Sequence, residues 1–213
     1  MTRPLDVLVI ESRRGAAAEA VRALEEAGHH PLTCRDEASG LPCRGVASPD
    51  DCPLVRGSDV ALLVRSRVDP RVASLETGAL CALRAGVPVV ESGSAALDPF
   101  EPWLTGRVGD DGVVAACEAG ADQALDELRR EILRRVAPTL SAVGIPVCDA
   151  RCTVEDAHLR LRVRFDLPAP ADRALQQALA VRVLDALRSS RRTFGGVDVS
   201  VHLATAPGGA APA

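Results

Sequence analysis

Hydrophobic residues in the first half of the chain occur in short continuous runs, separated by stretches with helical spacing. The clearest runs are DVLVI (6–10), SDVALLV (58–64) and VPVV (87–90), and HPLTC (30–34) is a shorter one. Continuous apolar runs are typical of parallel strands that are buried on both faces. Residues 74–85 carry apolar side chains at helical spacing between two of these runs. The pattern therefore predicts β-α-β units and a parallel sheet.

The second half of the chain changes period. Residues 112–136 and 170–189 are amphipathic at helical spacing, whereas RLRVRF (160–165) and VDVSVHL (197–203) alternate between apolar and polar residues. Alternation with period two is typical of a strand that has one buried and one solvated face. With a further strand near 148–154, the order becomes α-β-β-α-β, which predicts three strands with helices on one face.

Together these patterns predict an α/β protein with two domains. A flavodoxin-like three-layer domain with a parallel sheet covers residues 1–110, and a small α+β (α-β-β-α-β) domain covers residues 138–205. A connecting helix over 111–137 joins the two domains. Residues 206–213 are expected to form a disordered tail, because they contain no large apolar side chain.

Composition narrows the function classes. The chain has a formal net charge of −4, three Phe, one Trp, no Tyr and no Lys. Scarce aromatic rings weigh against sites that stack nucleobases, and the acidic balance weighs against nucleic acid as a partner. The N-terminal apolar run is much shorter than a membrane span or a signal-peptide core. We therefore expect a cytoplasmic protein that does not contact membranes.

A segment centred on Glu76 carries the most specific enzyme-like pattern. SDVALLVRSRVDPRVASLETGALCALRAGVPVV (58–90) resembles the central segment of nucleoside 2-deoxyribosyltransferases and their N-glycosidase relatives. The positions that match the outline of that family are Asp59, Glu76, Gly78, Ala82, Gly86, Pro88 and Val89. The resemblance implies that Glu76 is a carboxylate nucleophile that attacks an anomeric carbon.

The same glutamate has a structural interpretation. The family's Asp-x-Gly-Thr motif before the glutamate is replaced here by PRVASLE (70–76). Ser74 would then cap the helix, and Glu76 would lie in its first turn, where the helix dipole favours a carboxylate.

A second resemblance concerns the first three strands. The segments at 6–34 and 58–70 resemble the receiver domains of response regulators, which share the flavodoxin-like order of elements. That resemblance implies a phosphoacceptor aspartate at the end of the third strand, beside Mg²⁺-binding carboxylates. The acceptor position falls on Val64 or Arg65, and the acidic pair after the first strand is reduced to Glu11. The resemblance thus implies a pseudo-receiver that is not phosphorylated in the usual way.

The predicted fold also indicates where a ligand would bind. In open α/β sheets, ligands lie outside the carboxyl ends of the strands. The polar residues expected to gather there, as a binding site for a small anionic ligand, are Glu11, Ser12, Arg13, Arg65, Ser66, Glu91 and Ser92.

Cysteines and arginines provide two further candidate sites. Cys34, Cys43 and Cys52 recur in a long loop without apolar period, where thiolates could hold zinc; the alternatives are inert core cysteines or redox sensing. No other cofactor is expected.

On the predicted strands of the second half, Arg160, Arg162 and Arg164 share one face, beside His202. That face is a candidate interaction surface for a second copy of the chain or for another protein, or else a solvated sheet face.

Both resemblances lack residues that the corresponding reactions need: the Asp-x-Gly-Thr motif before Glu76 and the phosphoacceptor aspartate after the third strand. The sequence therefore favours a non-catalytic, homodimeric binding or regulatory protein, with the N-glycosidase or deoxyribosyltransferase-like enzyme as the alternative.

Overall fold

The computed structural model describes residues 3–35, 43–65, 71–93, 98–157, 160–190 and 194–204. Contacts divide the described chain into two compact units, one up to Ala124 and the other from Leu125 onward. The predicted boundaries placed a separate connecting helix over 111–137, whereas the division falls inside one long helix. The predicted tail, 206–213, and the candidate Ser66 lie outside the described residues.

The first unit is built on a five-stranded parallel sheet. Its strands are β1 (Asp6–Glu11), β2 (His30–Leu32), β3 (Val60–Val64), β4 (Val89–Ser92) and β5 (Gly106–Val108). They are arranged in the order β2-β1-β3-β4-β5, and every neighbouring pair is parallel. This is the flavodoxin-like order, so the predicted fold class is confirmed.

Helices cover both faces of this sheet. They are α1 (Ala18–Glu26), the one-turn helices α2 (Arg44–Ala47) and α3 (Pro53–Arg56), α4 (Thr77–Arg84) and the start of α5 (Val113–Ala142). Val7 and Val9 pack in one buried cluster with Leu24 of α1, whereas Leu8 packs in another with Ala79 of α4. Alternate residues of β1 thus face opposite helix layers, which explains its continuous apolar run.

Helix α5 contributes to both units. Cys117 and Ala121 pack in the first unit, and Ile132 and Leu140 pack in the second. The connecting helix predicted over 111–137 stops before Pro138, but the observed helix continues past this proline to Ala142. An interior proline removes one intrahelical hydrogen bond and its ring clashes with a carbonyl of the preceding turn, and burial of the apolar stripe on either side outweighs this cost.

The second unit contains a three-stranded sheet in the order β6-β7-β8. Its elements are β6 (Arg151–Ala157), β7 (Arg160–Leu167), α6 (Arg173–Ser190) and β8 (Gly196–Leu203). β6 is antiparallel to β7, and β8 is parallel to β7 after the α6 crossover. Leu161, Val163 and Phe165 are fully buried against apolar residues of α5 and α6, so the expected α-β-β-α-β layer with one covered face is present.

Within the described residues, no helix combines the length and the apolar character that crossing a membrane requires.

A close backbone contact at the end of β4 yields a stability prediction. Gly93 has φ = +119°, and a Cβ there would lie 2.1 Å from the carbonyl oxygen of Arg65. Replacing Gly93 by Ala should therefore lower the free energy of unfolding by about 3 kcal/mol or more, since strain and a clash add. Urea denaturation followed by circular dichroism measures the change.

Gly28→Ala is the matched control. Gly28 also has positive φ, +83°, but a Cβ there would meet no atom within 4 Å. Only the backbone strain remains, so we expect a loss of about 1 kcal/mol. Equal losses for the two variants would contradict the steric explanation.

Candidate functional site

At the carboxyl ends of the strands, the predicted binding residues fall into two groups. Arg65, Glu91 and Ser92 are buried, whereas Ser12 is half-buried and Arg13 is exposed. The sequence predicted one open crevice; the structure instead has a buried group of charged side chains and, apart from it, an open cavity that is lined by Glu11.

Arg65 is the centre of the buried group. It directly follows β3, and its guanidinium is only 1% exposed. Its Nε donates a 2.7 Å hydrogen bond to Oε1 of Glu76, and its Nη1 donates a 3.3 Å bond to Oδ1 of Asp98. A guanidinium cannot lose its charge by deprotonation, so burial requires carboxylate partners.

Asp98 extends the group to a second arginine. Its Oδ1 accepts the backbone N–H of Phe100 at 2.8 Å, and its Oδ2 accepts Nη2 of Arg107 at 2.8 Å. Burial favours the neutral acid, but hydrogen bonds from Glu91, Phe100 and Arg107 outweigh it and hold the pKa of Asp98 below its usual value. Asp98 is therefore ionised at neutral pH.

Glu91 completes the buried charge cluster, which consists of the buried side chains of Arg65, Glu76, Glu91 and Asp98 and of Arg107, whose side chain is 36% exposed. Its side chain is fully buried, and Nε of Arg107 is 3.6 Å from Oε1, beyond hydrogen-bond distance. Neither oxygen accepts a hydrogen bond from a donor in the described chain. Burial, a hydrogen bond to Asp98 and repulsion from its charge raise the pKa of Glu91 to about 8.

Glu91 is thus protonated at neutral pH, and its carboxyl O–H donates a hydrogen bond to Asp98. Each of the two arginines is then paired with a carboxylate, Arg65 with Glu76 and Asp98 and Arg107 with Asp98. This pairing offsets the cost of burying the charge of Arg65.

The carboxylate of Glu76 lies inside this cluster, not in the crevice. Its side chain is fully buried, with Oε1 bound to Arg65 and Oε2 accepting the backbone N–H of Ala73 at 2.7 Å. The sequence predicted that Ser74 would cap the helix. In the structure the carboxylate of Glu76 accepts the backbone N–H of Ala73 at the start of the helix, and the side chain of Ser74 makes no capping bond. Both oxygens of the candidate nucleophile are engaged by the protein itself.

Glu11 lines a separate cavity of about 330 Å³ between α1, β1 and β2. Arg35 lines the same cavity, and its Nη1 is 3.6 Å from Oε1 of Glu11. This distance allows attraction but is longer than a hydrogen bond. The cavity is therefore lined by two acidic groups, Glu11 and Glu25, and by one basic group, Arg35, which is not hydrogen-bonded to Glu11.

The loop cysteines approach one another. A Cβ on Gly45 would lie 3.5 Å from Sγ of Cys43 and 3.6 Å from Sγ of Cys52. Burial, together with the nearby thiols of Cys43, Cys81 and Cys52, raises the pKa of Cys34 to about 11. Cys81 of α4 joins this group from a distant part of the sequence.

No three histidine, cysteine or acidic side chains in the described ranges are arranged to hold a metal ion. Zinc at Cys34, Cys43 and Cys52 stays a prediction, which elemental analysis of purified protein would test.

The arginine row forms one exposed face of the second sheet. The register places Arg162 beside Asp198 and Glu155, and His202 beside Asp166. Arg160 reaches Asp198 at 3.4 Å, and Arg164 donates to Asp166 at 2.9 Å. The face thus carries both acidic and basic side chains and is not a purely basic surface.

Sequence reasoning missed Asp98, Arg107 and Arg35, because Asp98 and Arg35 lie in irregular segments and β5, which contains Arg107, is too short to show a period. One signal was available: Arg65 directly follows a fully buried strand, so acidic partners had to come from elsewhere in the chain.

Comparisons with known proteins add little. No protein-family model matches the chain, and no curated protein matches it. Among solved structures, it is similar to a low-resolution structure of the response regulator StyR, with 14% identity, coverage of 88% of this chain and 100% of that chain, and a TM-score of 0.34. The flavodoxin-like order rests on the observed strand pairing instead. The resemblance to deoxyribosyltransferases receives no support from these comparisons.

The buried proton of Glu91 predicts a pH dependence. The pKa of Glu91 is raised from 4.5 to about 8, so between these values the folded state holds a proton that the unfolded chain releases. The free energy of unfolding therefore falls as pH rises through this window, by up to roughly 1.4 kcal/mol per pH unit. Glu91→Gln cannot lose a proton, so its stability relative to wild type should increase from pH 5 to pH 8 in urea denaturation.

Glu26→Gln serves as the control, because Glu26 is 72% exposed on α1. Its stability difference from wild type should stay constant over the same pH range. A constant difference for Glu91→Gln as well would mean that Glu91 is ionised in the folded state.

A labelling experiment should distinguish exposed from buried thiols by their reaction rates. Cys81 and Cys148 are exposed, whereas Cys117 and Cys152 are buried, and burial raises the pKa of each of these two to about 12. An aromatic disulfide reagent at pH 8 should label the exposed pair in folded protein and the buried pair only after denaturation. Loss of a rapidly reacting thiol in Cys117→Ser, rather than in Cys148→Ser, would contradict this assignment.

Proposed function

We propose that this chain is a non-catalytic binding or regulatory protein, with a pseudo-receiver-like α/β unit and a second unit that serves interactions. The observation that carries the proposal is the buried charge cluster at the ends of β3 and β4. The place where an enzyme or a phosphorylated receiver would expose its reactive groups holds buried side chains, of which Glu76 and Asp98 are both bound to Arg65.

The residue at the end of β3 supports this role. Arg65 is, with Val64, one of the two residues on which the receiver resemblance places the acceptor carboxylate, and its guanidinium is bonded to Glu76 and Asp98. Phosphoryl transfer needs an accessible carboxylate beside a bound cation, and an arginine here supplies neither. The α/β unit would then act through binding and not through phosphotransfer.

Solvent exclusion around Glu76 weighs against the enzyme alternative. Attack on an anomeric carbon requires a carboxylate oxygen within contact distance of the substrate, and a nucleophile must be free to move toward it. Both oxygens of Glu76 are used by Arg65 and Ala73 inside the protein. The arrangement suits an element that fixes the strand ends.

The second unit supports an interaction role in the cytoplasm. Its sheet exposes Arg160, Arg162 and Arg164 beside Asp198 and His202. Mixed charges on a flat face favour a partner with a complementary pattern, and a second copy of the chain is the simplest candidate.

A turnover assay combined with Glu76→Gln tests the proposal. Wild-type protein should release no free base from nucleosides or 2′-deoxynucleosides, as followed by liquid chromatography. Glu76→Gln should lower the free energy of unfolding by up to about 3 kcal/mol, because Arg65 loses a buried partner.

The exposed control Glu26→Gln should change stability by no more than about 0.5 kcal/mol. Release of base by wild type that disappears in a Glu76→Gln variant of unchanged stability would overturn the proposal and favour the N-glycosidase alternative.

A further inference from the structure

We propose that the cavity between α1, β1 and β2 binds a small apolar α-amino acid, with its carboxylate on Arg35 and its ammonium group on Glu11. The inference deepens the proposed binding role of the α/β unit and rests on it. It names a ligand class that differs from the simple anion expected from the sequence.

The size and walls of the cavity support a small, mainly apolar ligand. Its volume of about 330 Å³ is at the lower end of the range for small-molecule sites. Its apolar lining comes from β1, α1, β2 and the turn before α4, through Val9, Ile10, Ala17, Val21, Leu32 and Leu75. A side chain of the size of leucine or phenylalanine suits such walls.

Arg35 supplies an unused donor. Its side chain is 16% exposed, and its Nη1 is buried without a hydrogen bond from the described residues. A buried donor without an acceptor is unfavourable, and a ligand carboxylate would remove that penalty.

Both backbone polar groups of Arg35 are hydrogen-bonded. Its N–H donates to Oγ1 of Thr33 at 3.2 Å, and its carbonyl oxygen accepts Nε of Arg44 at 2.9 Å. These bonds hold the backbone that carries the guanidinium.

Glu11 makes a zwitterion a better ligand than a simple anion. Its Oε1 is 3.6 Å from Nη1 of Arg35, so a bare carboxylate placed at Arg35 would be repelled by Glu11. An ammonium group next to the ligand carboxylate turns that repulsion into a second attraction. Because an α-amino acid carries both charges on one carbon, it matches this pair, whereas an internal peptide segment does not.

The position in the fold agrees with this assignment. Glu11 is the last residue of β1, and Arg35 follows β2 by three residues. The cavity is thus at the carboxyl ends of parallel strands, where open α/β sheets bind ligands.

Calorimetry and thermal shift with matched probes test the proposal. L-Leucine, L-valine or L-phenylalanine at millimolar concentration should raise the melting temperature, because a ligand that binds only the folded state stabilises it. The probe 4-methylpentanoate lacks the ammonium group of leucine, and 3-methylbutylamine lacks its carboxylate. The affinity of each of these two probes should be lower than that of leucine by a factor of about ten or more.

Variants of the charged pair sharpen the test. Arg35→Gln should weaken leucine binding by about tenfold or more, and Arg22→Gln, an exposed arginine on α1, should leave it unchanged. Glu11→Gln should weaken leucine binding but strengthen binding of 4-methylpentanoate, since the repulsion is removed. This opposite response cannot result from a damaged fold.

Three results would overturn the proposal: no melting-temperature shift with any of the three amino acids, equal affinity for leucine and 4-methylpentanoate, or wild-type affinity in both charge variants. If amino acids fail to bind while nucleosides also remain uncleaved, only the ligand assignment fails. Release of base from nucleosides would instead remove the proposed binding function itself.

Discussion

The first unit depends on how one permanent cation is accommodated in its interior. A guanidinium directly after a fully buried strand cannot be neutralised, so the protein must surround it with opposite charge. Two separate segments supply carboxylates to it, Glu76 before α4 and Asp98 after β4, and the protonated Glu91 of β4 donates a hydrogen bond to Asp98. Their convergence fixes the connections at the carboxyl end of the sheet. Because these carboxylates are needed to balance the buried guanidinium, they are not available for chemistry at this end of the sheet.

Most of the fold could be predicted from the local periodicity of apolar residues. The runs DVLVI and VALLV are continuous because each strand is covered by helices on both faces, and RLRVRF alternates because one face of the second sheet is solvated. The end of α5 was mispredicted, since the packing of Leu140 against the second core is a tertiary effect that outweighs the local effect of Pro138. Gly144, with φ = +78°, lies just beyond the actual end.

The candidate site was only partly predictable, for a different reason. Strand ends can be located from periodicity, so Glu11, Arg65 and Glu91 were found. Their partners are brought close by irregular segments, in which no period relates residue number to position. The same limit applies to Cys81, which joins the loop thiols across more than 25 residues of intervening chain. Whether a polar side chain faces a cavity or another charge depends on such contacts, and this distinction separates a ligand site from a structural ion pair.

The proton that Glu91 shares with Asp98 also has a kinetic consequence. Because the Glu91 side chain has no exposed surface, water cannot reach that proton while the ends of β4 and β5 stay closed. Proton exchange must wait for a local opening of the structure, and such openings are far slower than proton transfer at an exposed carboxyl. After a sudden change of pH, the cluster would therefore retain its earlier charge for a time that is set by the opening rate of the sheet edge and not by diffusion of protons.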